Sequence, residues 1–266
     1  MKSTIEAVDF NLLYTMQKFA SSHKKKDVGA WDEKASQMNL KIHEGYYNDV
    51  IDARVILSSS DTLLDIGCGP GTFSLRFAPK VKEVYAFDFS PKMLEILAQN
   101  AKEKGINNIS HFCCDMEGSW ENVPVCDVVL ASRCLEVDDL QKVLQELDTH
   151  AKKAVYVTFK VGKSYLNEEI LKIIKRDIVP KPDYIYVLNT LYNMGILATV
   201  DFIFPKKCGC IDSTTEEEYI QALLWSLDGI TPEEEALARE YFLTCKAQGK
   251  NPALRDNRWA FISWKK

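Results

Sequence analysis

What this sequence of 266 residues lacks narrows it quickly. No apolar run approaches the roughly 20 residues that a membrane-spanning helix needs, so no membrane association is expected. The opening stretch, "MKSTIEAVDFNLLY", interrupts its apolar positions with Glu6, Asp9 and Asn11. The unbroken apolar segment of a signal peptide is therefore missing, and a cytoplasmic location is expected. Positive charge is also scarce: 33 Lys and Arg stand against 38 Asp and Glu, a net charge of −5. A protein that grips a long polyanion usually carries a basic face, so DNA is disfavoured as a partner. The one basic run, Lys24 to Lys26, reads as a solvated loop. Internal repeats and low-complexity tracts are absent.

The eight cysteines do not signal disulfides, because a chain expected in a reducing compartment keeps its thiols free. Cys68, Cys113 and Cys126 lie in or beside apolar runs, where Cys behaves as a small hydrophobe. Cys208-Gly-Cys210 is the one spacing that hints at metal, but a structural zinc site wants two ligand pairs, and neither His111 nor His150 is spaced to supply one. No metal is expected.

What is present is an alternation of short strands and helices. An N-terminal helical segment places Leu12, Leu13, Met16 and Phe19 on one face, and a second pattern runs from Trp31 to Leu57. Strands are expected at 62–66, 83–88, 109–115, 126–132 and 154–159, with helices between them. Ser90-Pro91 opens one of these helices and Gly105 closes it. Further helices are expected at 167–178 and 181–195, a strand at 198–204, helices at 215–227 and 232–246, and a last strand at 258–266. Strands spaced by helices predict an α/β fold: a doubly wound, mostly parallel seven-stranded sheet with right-handed crossovers. One domain is expected over 1–266, with an N-terminal helical lid (1–58), a cofactor-binding core (59–160), and substrate-side helices and closing strands (161–266). The helical insertion at 205–257, before the last strand, either caps a pocket or makes a dimer contact, so a homodimer is a candidate assembly.

The stretch "TLLDIGCGPGTFSL" (62–75) carries the most chemistry. Gly67, Gly69 and Gly71 lack Cβ, so the chain can turn sharply at a strand end and its backbone can approach a ligand. Asp88 ends the second strand, where a carboxylate can accept both hydroxyls of a ribose, and Asp115 ends the third, within reach of an adenine amino group. The glycine spacing is G-x-G-x-G, whereas the dinucleotide fingerprint is G-x-G-x-x-G. An acid two residues before the first glycine, Asp65, would repel a pyrophosphate but suits a ligand carrying an ammonium group and a positive sulfur. An NAD-dependent oxidoreductase is opposed on both counts; S-adenosyl-L-methionine fits.

The successive motifs "LLDIGCGPGT", "VYAFDFSPKML", "FCCDMEG" and "DVVLAS" resemble those of the class I S-adenosylmethionine-dependent methyltransferases of small-molecule type. The resemblance implies that Asp65, Gly67, Cys68, Gly69, Gly71 and Thr72 hold the methionine end of the cofactor. It implies that Asp88 takes the ribose, that Phe89 and Met93 pack on the adenosine, and that Asp115 and Met116 flank the adenine. Ala131, Ser132 and Arg133 would lie near the transferable methyl, and the "WDEKASQMN" helix would lid the cofactor.

Methyl transfer from a sulfonium needs positioning and desolvation, and a base only where the nucleophile holds a proton. Arg133 and Glu136 are the catalytic candidates: Arg133 to fork a substrate carboxylate, Glu136 as base or helix cap. Trp31, Tyr47, Arg133, Lys160, Tyr186 and Tyr192 are the candidate substrate contacts. The nucleic-acid N-methyltransferase motif (Asn or Asp, Pro, Pro, Tyr) does not occur after the fourth strand, where "ASRC" stands, and Cys134 follows Arg133 instead of the proline of RNA 5-methylcytosine enzymes. The expectation is methylation of a small molecule. The alternatives are a non-catalytic cofactor-binding or partner-binding module, and methylation of a protein or tRNA.

Overall fold

The computed structural model describes residues 4–204 and 215–266. Cys208 and Cys210 lie outside the described residues.

The strands are β1 (Thr62–Ile66), β2 (Glu83–Asp88), β3 (Ile109–Cys113), β4 (Cys126–Ser132), β5 (Ala151–Lys160), β6 (Thr199–Ile203) and β7 (Trp259–Lys265). They form one seven-stranded sheet in the order β3-β2-β1-β4-β5-β7-β6. β1 to β5 pair in parallel, and β7 enters antiparallel between β5 and β6. β1, β4 and β5 are buried along most of their length, because helices cover both faces of a parallel sheet. The order turns back between β1 and β4, so the carboxyl ends of those strands open a crevice at that point.

Ten α-helices are described: α1 (Phe10–Ala20), α2 (Val28–Ile42), α3 (Tyr46–Arg54), α4 (Thr72–Phe77), α5 (Pro91–Glu103), α6 (Leu140–Thr149), α7 (Glu168–Ile173), α8 (Tyr184–Asn193), α9 (Glu216–Leu227) and α10 (Pro232–Ala247). The single pattern expected from Trp31 to Leu57 is two helices. Gly45, at φ +118°, breaks it, and Asn48 Nδ2 donates to the Ile42 carbonyl at the break. The helix expected over 167–178 is confined to α7, and Lys175 sits in the left-handed region at φ +56°. α8 starts at Tyr184 because Asp183 caps it. α6 is capped by Asp139, whose carboxylate accepts from the Lys142 N–H. β3 stops at Cys113, which is exposed on this edge strand, whereas Cys68 and Cys126 are buried as expected.

One core layer joins α6, α8 and Tyr14 of α1 to the sheet. The opposite layer joins α3, α4 and α5. α7, α9 and α10 share a separate core around Ile170, Tyr219, Leu223 and Phe242. The apolar face expected on α1 points outward: Leu12, Met16 and Phe19 are exposed, and Tyr14 is the residue buried. Among the described residues, no helix is long and apolar enough to cross a membrane.

Candidate active site

The loop after β1 turns because each glycine takes a left-handed φ: +59° at Gly67, +54° at Gly69 and +89° at Gly71. The surroundings of the three differ. A Cβ on Gly71 would sit 2.1 Å from Leu97 Cδ1, and one on Gly67 would sit 2.6 Å from Cys134 Cβ. Over Gly69 the nearest atom would be Met38 Cε at 3.9 Å. Packing within the chain thus demands Gly67 and Gly71, and Gly69 keeps an open face. Thr72, at the start of α4, has its hydroxyl buried with no hydrogen-bond partner.

Two of the three acids are buried at strand ends, Asp65 and Asp88. Asp88 Oδ2 accepts the Gly69 N–H and its Oδ1 the Ser90 N–H, both at 2.9 Å. Burial still raises its pKa, opposed by those bonds. Asp65 accepts the Ser74 hydroxyl at 2.5 Å, which ties the end of β1 to α4, and burial pushes its pKa up to about 7. Asp115 is exposed and accepts the Glu117 N–H at 2.9 Å. Phe89 and Met116 are half-buried, with Met116 beside Gly67. Met93 lies deeper: it packs with Ala35 and Ile96, where α2 crosses α5.

α2 lies over this loop. Asp32 accepts the Ser90 hydroxyl at 2.5 Å, and Asn39 accepts from Asn100, which also reaches the Pro70 carbonyl. Trp31 packs edge-on against Trp225 of α9, with ring centroids 5.4 Å apart. Lys26 pairs with Asp228 and Lys41 with Glu218, so the insertion sits on the N-terminal helices. The 24–26 run is therefore not simply a solvated loop, because Lys25 also pairs with Glu117.

Beside the loop, the ends of β4 and β5 are knotted through Tyr47. Its hydroxyl bonds Ser132 Oγ (2.8 Å) and Thr158 Oγ1 (2.7 Å), and Thr158 Oγ1 also accepts the Arg133 N–H (2.9 Å). Burial raises the Tyr47 pKa. Arg133 holds a left-handed φ of +59°, a strained setting for a residue with a Cβ, and its guanidinium stacks 4.3 Å from the Tyr47 ring. Ala131 is fully buried within β4.

Glu136 is neither free nor a helix cap. It accepts from His23 Nε2 at 2.8 Å and from the Tyr165 hydroxyl, and it pairs with Lys181 Nζ at 3.3 Å. Burial pushes its pKa up, but its His23 bond and the Lys181 charge prevail and hold it down at about 2. Lys160 is buried; it donates to the Val161 and Arg258 carbonyls, and desolvation lowers its pKa to about 8. Tyr186 is half-buried against Tyr14, whereas Tyr192 shares the outward face of α8 with Ile185 and touches none of these groups. Sequence reasoning missed His23, Tyr165, Lys181, Thr158 and Trp259. Thr158 had a signal, because it stands two residues before Lys160 and so faces the same side of β5. His23, Tyr165 and Lys181 come from loops, where no periodicity marks a residue. Among the described residues no group of metal-ligating side chains comes together.

This arrangement has counterparts in known proteins. The family described as "Methyltransferase domain" matches residues 63–154, from β1 into β5. An uncharacterized protein of Haemophilus influenzae is 33% identical over 263 residues, covering 98% of each chain. An uncharacterized RNA methyltransferase of Listeria monocytogenes is 34% identical over 126 residues, which is 46% of this chain and 27% of that protein. The chain thus spans only about a quarter of the length of that relative. Among solved structures, a phosphoethanolamine N-methyltransferase of Haemonchus contortus, in complex with phosphomonomethylethanolamine and S-adenosylhomocysteine, superposes with a TM-score of 0.56 at 16% identity, over 98% of this chain and 61% of that one. Sheet order, glycine loop and family match agree: residues 63–154 match the methyltransferase-domain family, and the sheet has the class I, Rossmann-like methyltransferase fold.

Proposed function

We propose that the protein binds S-adenosyl-L-methionine and transfers its methyl group to a small molecule. The donor set supports the cofactor. Gly69 offers an open backbone face, Thr72 a buried hydroxyl without a partner, and Asp88 a carboxylate with acceptor capacity beyond its two backbone bonds. The exposed Asp115 adds negative charge, and Asp65, which titrates near neutral pH, ionises more readily beside a cationic ligand without phosphates. When bound, the cofactor supplies a methyl group on a positive sulfur, already activated for displacement. The chain's residues have to hold the acceptor in line and keep water away.

The observation that carries the small-molecule reading is the roof. α2, which lies over the loop after β1, meets α9 through Trp31 and Trp225, and the Lys26–Asp228 and Lys41–Glu218 pairs add to the contact. A covered site suits a ligand that can be enclosed. The acidic balance and the six described cysteines, all free, agree with a cytoplasmic metabolic role.

The relative named as an RNA methyltransferase favours a second reading, methylation of RNA. Cys134 weighs against one form of it, attack by a thiolate. Its thiol is directed at the Ile66 carbonyl, 3.2 Å away, and burial near Asp65 and Asp88 raises its pKa. The test is transfer from methyl-labelled S-adenosylmethionine, offered separately to a low-molecular-mass metabolite fraction and to purified ribosomal RNA. Label in the metabolite fraction alone supports the proposal, and label in RNA alone overturns it.

A further inference from the structure

We infer that His23 is the proton acceptor of the transfer, held in place by Glu136, and that the methyl acceptor is a hydroxyl or a protonated amine. This inference rests on the methyltransferase reading above.

The carboxylate of Glu136 can only accept, so the bond at 2.8 Å requires His23 Nε2 to carry the proton. In the neutral ring Nδ1 is then left as a lone pair, which is the tautomer a general base needs. A carboxylate that fixes an imidazole and stabilises its cation is a recurring solution in proton transfer. Glu136 is itself unsuited to the task. Three donors converge on it, and it is held ionised far below neutral pH.

The placement agrees. The Glu136 N–H donates to the Cys134 carbonyl, and Cys134 touches Gly67 of the cofactor loop. Two residues of chain, at most about 7 Å between Cα atoms, separate Glu136 from Cys134. From His23 a wall of rings leads back to the strand ends. Tyr165 lies 5.0 Å from His23, Trp259 lies 6.2 Å from Tyr165, and Tyr47 lies 5.9 Å from Trp259. A small enclosed cavity of about 20 Å³ is lined by His23, Glu136, Tyr14, Phe159 and Lys181.

The other groups along this wall are committed elsewhere. The Tyr165 hydroxyl donates to Glu136 and the Tyr14 hydroxyl to the Val137 carbonyl, and Tyr47 is shared by Ser132 and Thr158. The charges around His23 are Glu136 from the β4–α6 segment, Lys181 from the segment before α8, Asp228 from the end of α9, Lys18 from α1 and Lys25 from its own loop. Lys18 is paired with Asp138 and Lys25 with Glu117.

A hydroxyl gives up its proton as its lone pair attacks the methyl carbon, whereas a protonated amine gives up its proton first and so frees the pair that attacks; the sulfur of a bound S-adenosylmethionine would keep the pair of the bond that breaks. The acceptor's proton passes to His23 Nδ1 and from there to solvent. A nucleophile that already lacks a proton would need no such partner.

The test uses the full chain with His23→Gln and Glu136→Gln. Three quantities are read: S-adenosylhomocysteine affinity by calorimetry, the imidazole tautomer by NMR, and label transfer to the metabolite fraction against pH. For His23→Gln the expected result is cofactor affinity within about twofold of the parent and transfer reduced on the order of 100-fold, with the acidic limb of the pH profile lost. For Glu136→Gln the preference for the proton on His23 Nε2 should weaken. Parent-like transfer by His23→Gln overturns the inference, as does a His23 tautomer indifferent to Glu136→Gln. A parent chain that binds S-adenosylhomocysteine but transfers no label at any pH also counts against it. A parent chain that does not bind S-adenosylhomocysteine fails the underlying methyltransferase reading instead.

Discussion

Gly69 donates its backbone N–H to Asp88 across 2.9 Å, so the open glycine of the β1 loop and the acid that ends β2 form one unit. The Ser90 N–H completes it from the other side, and Ser90 in turn holds Asp32 of α2. The loop, the neighbouring strand end and the covering helix are thus linked through three side-chain bonds. Changes at any of them should be felt at the others.

The three glycines should differ when replaced by alanine. Gly71→Ala would drive a Cβ to 2.1 Å from Leu97, at φ +89°, and should destabilise by about 3 kcal/mol or more. Gly69→Ala meets no atom closer than 3.9 Å and should lose only about 1–2 kcal/mol from its left-handed φ. Urea unfolding of the two variants measures the difference, and equal losses would contradict this packing.

Two buried acids should shape stability in opposite directions. Asp65, raised to about 7, favours the folded state when protonated. Its contribution is present below about pH 4 and is lost as pH rises through about 7. Glu136, held at about 2, favours the folded state when ionised, and its contribution is lost as pH falls from about 4.5 towards 2. Thermal melts from pH 4 to 8 should show stability declining by about 1 kcal/mol per pH unit up to about pH 7 and levelling beyond it. Asp65→Asn should remove that decline.

Tyr47 and Tyr192 should separate a working tyrosine from an exposed one. Tyr47→Phe deletes the hydroxyl that joins Ser132 and Thr158, and should lower methyl transfer about tenfold while costing roughly 1–2 kcal/mol of stability. Tyr192 is 46% exposed on the outer face of α8, and Tyr192→Phe should leave both unchanged. Rates with the metabolite fraction, beside thermal melts, decide.

The fold was largely legible because its signals are local. Apolar runs ending in Asp65 and Asp88 marked strand ends, and Ser90-Pro91 marked a helix start. The glycine loop was legible for the same reason, since a tight turn needs residues without Cβ. The other half of the site was not. Glu136 was visible as an acid after β4, but its partners His23, Tyr165 and Lys181 come from distant loops brought together by tertiary packing. Tyr192 read as a substrate contact, because helical spacing shows that residues share a side, not which side faces inward. Ile185 and Tyr192 face outward.

The most direct measurement is a calorimetric titration of the intact chain with S-adenosylhomocysteine, beside Asp88→Ala. Removing the carboxylate deletes the proposed acceptor for the ribose and strips the Gly69 and Ser90 amides of their partner. Affinity should fall on the order of 100-fold, and stability by about 1–3 kcal/mol. Clear binding by the parent that is lost in the variant is the predicted result. Equal binding by both, or none by the parent, would contradict the account.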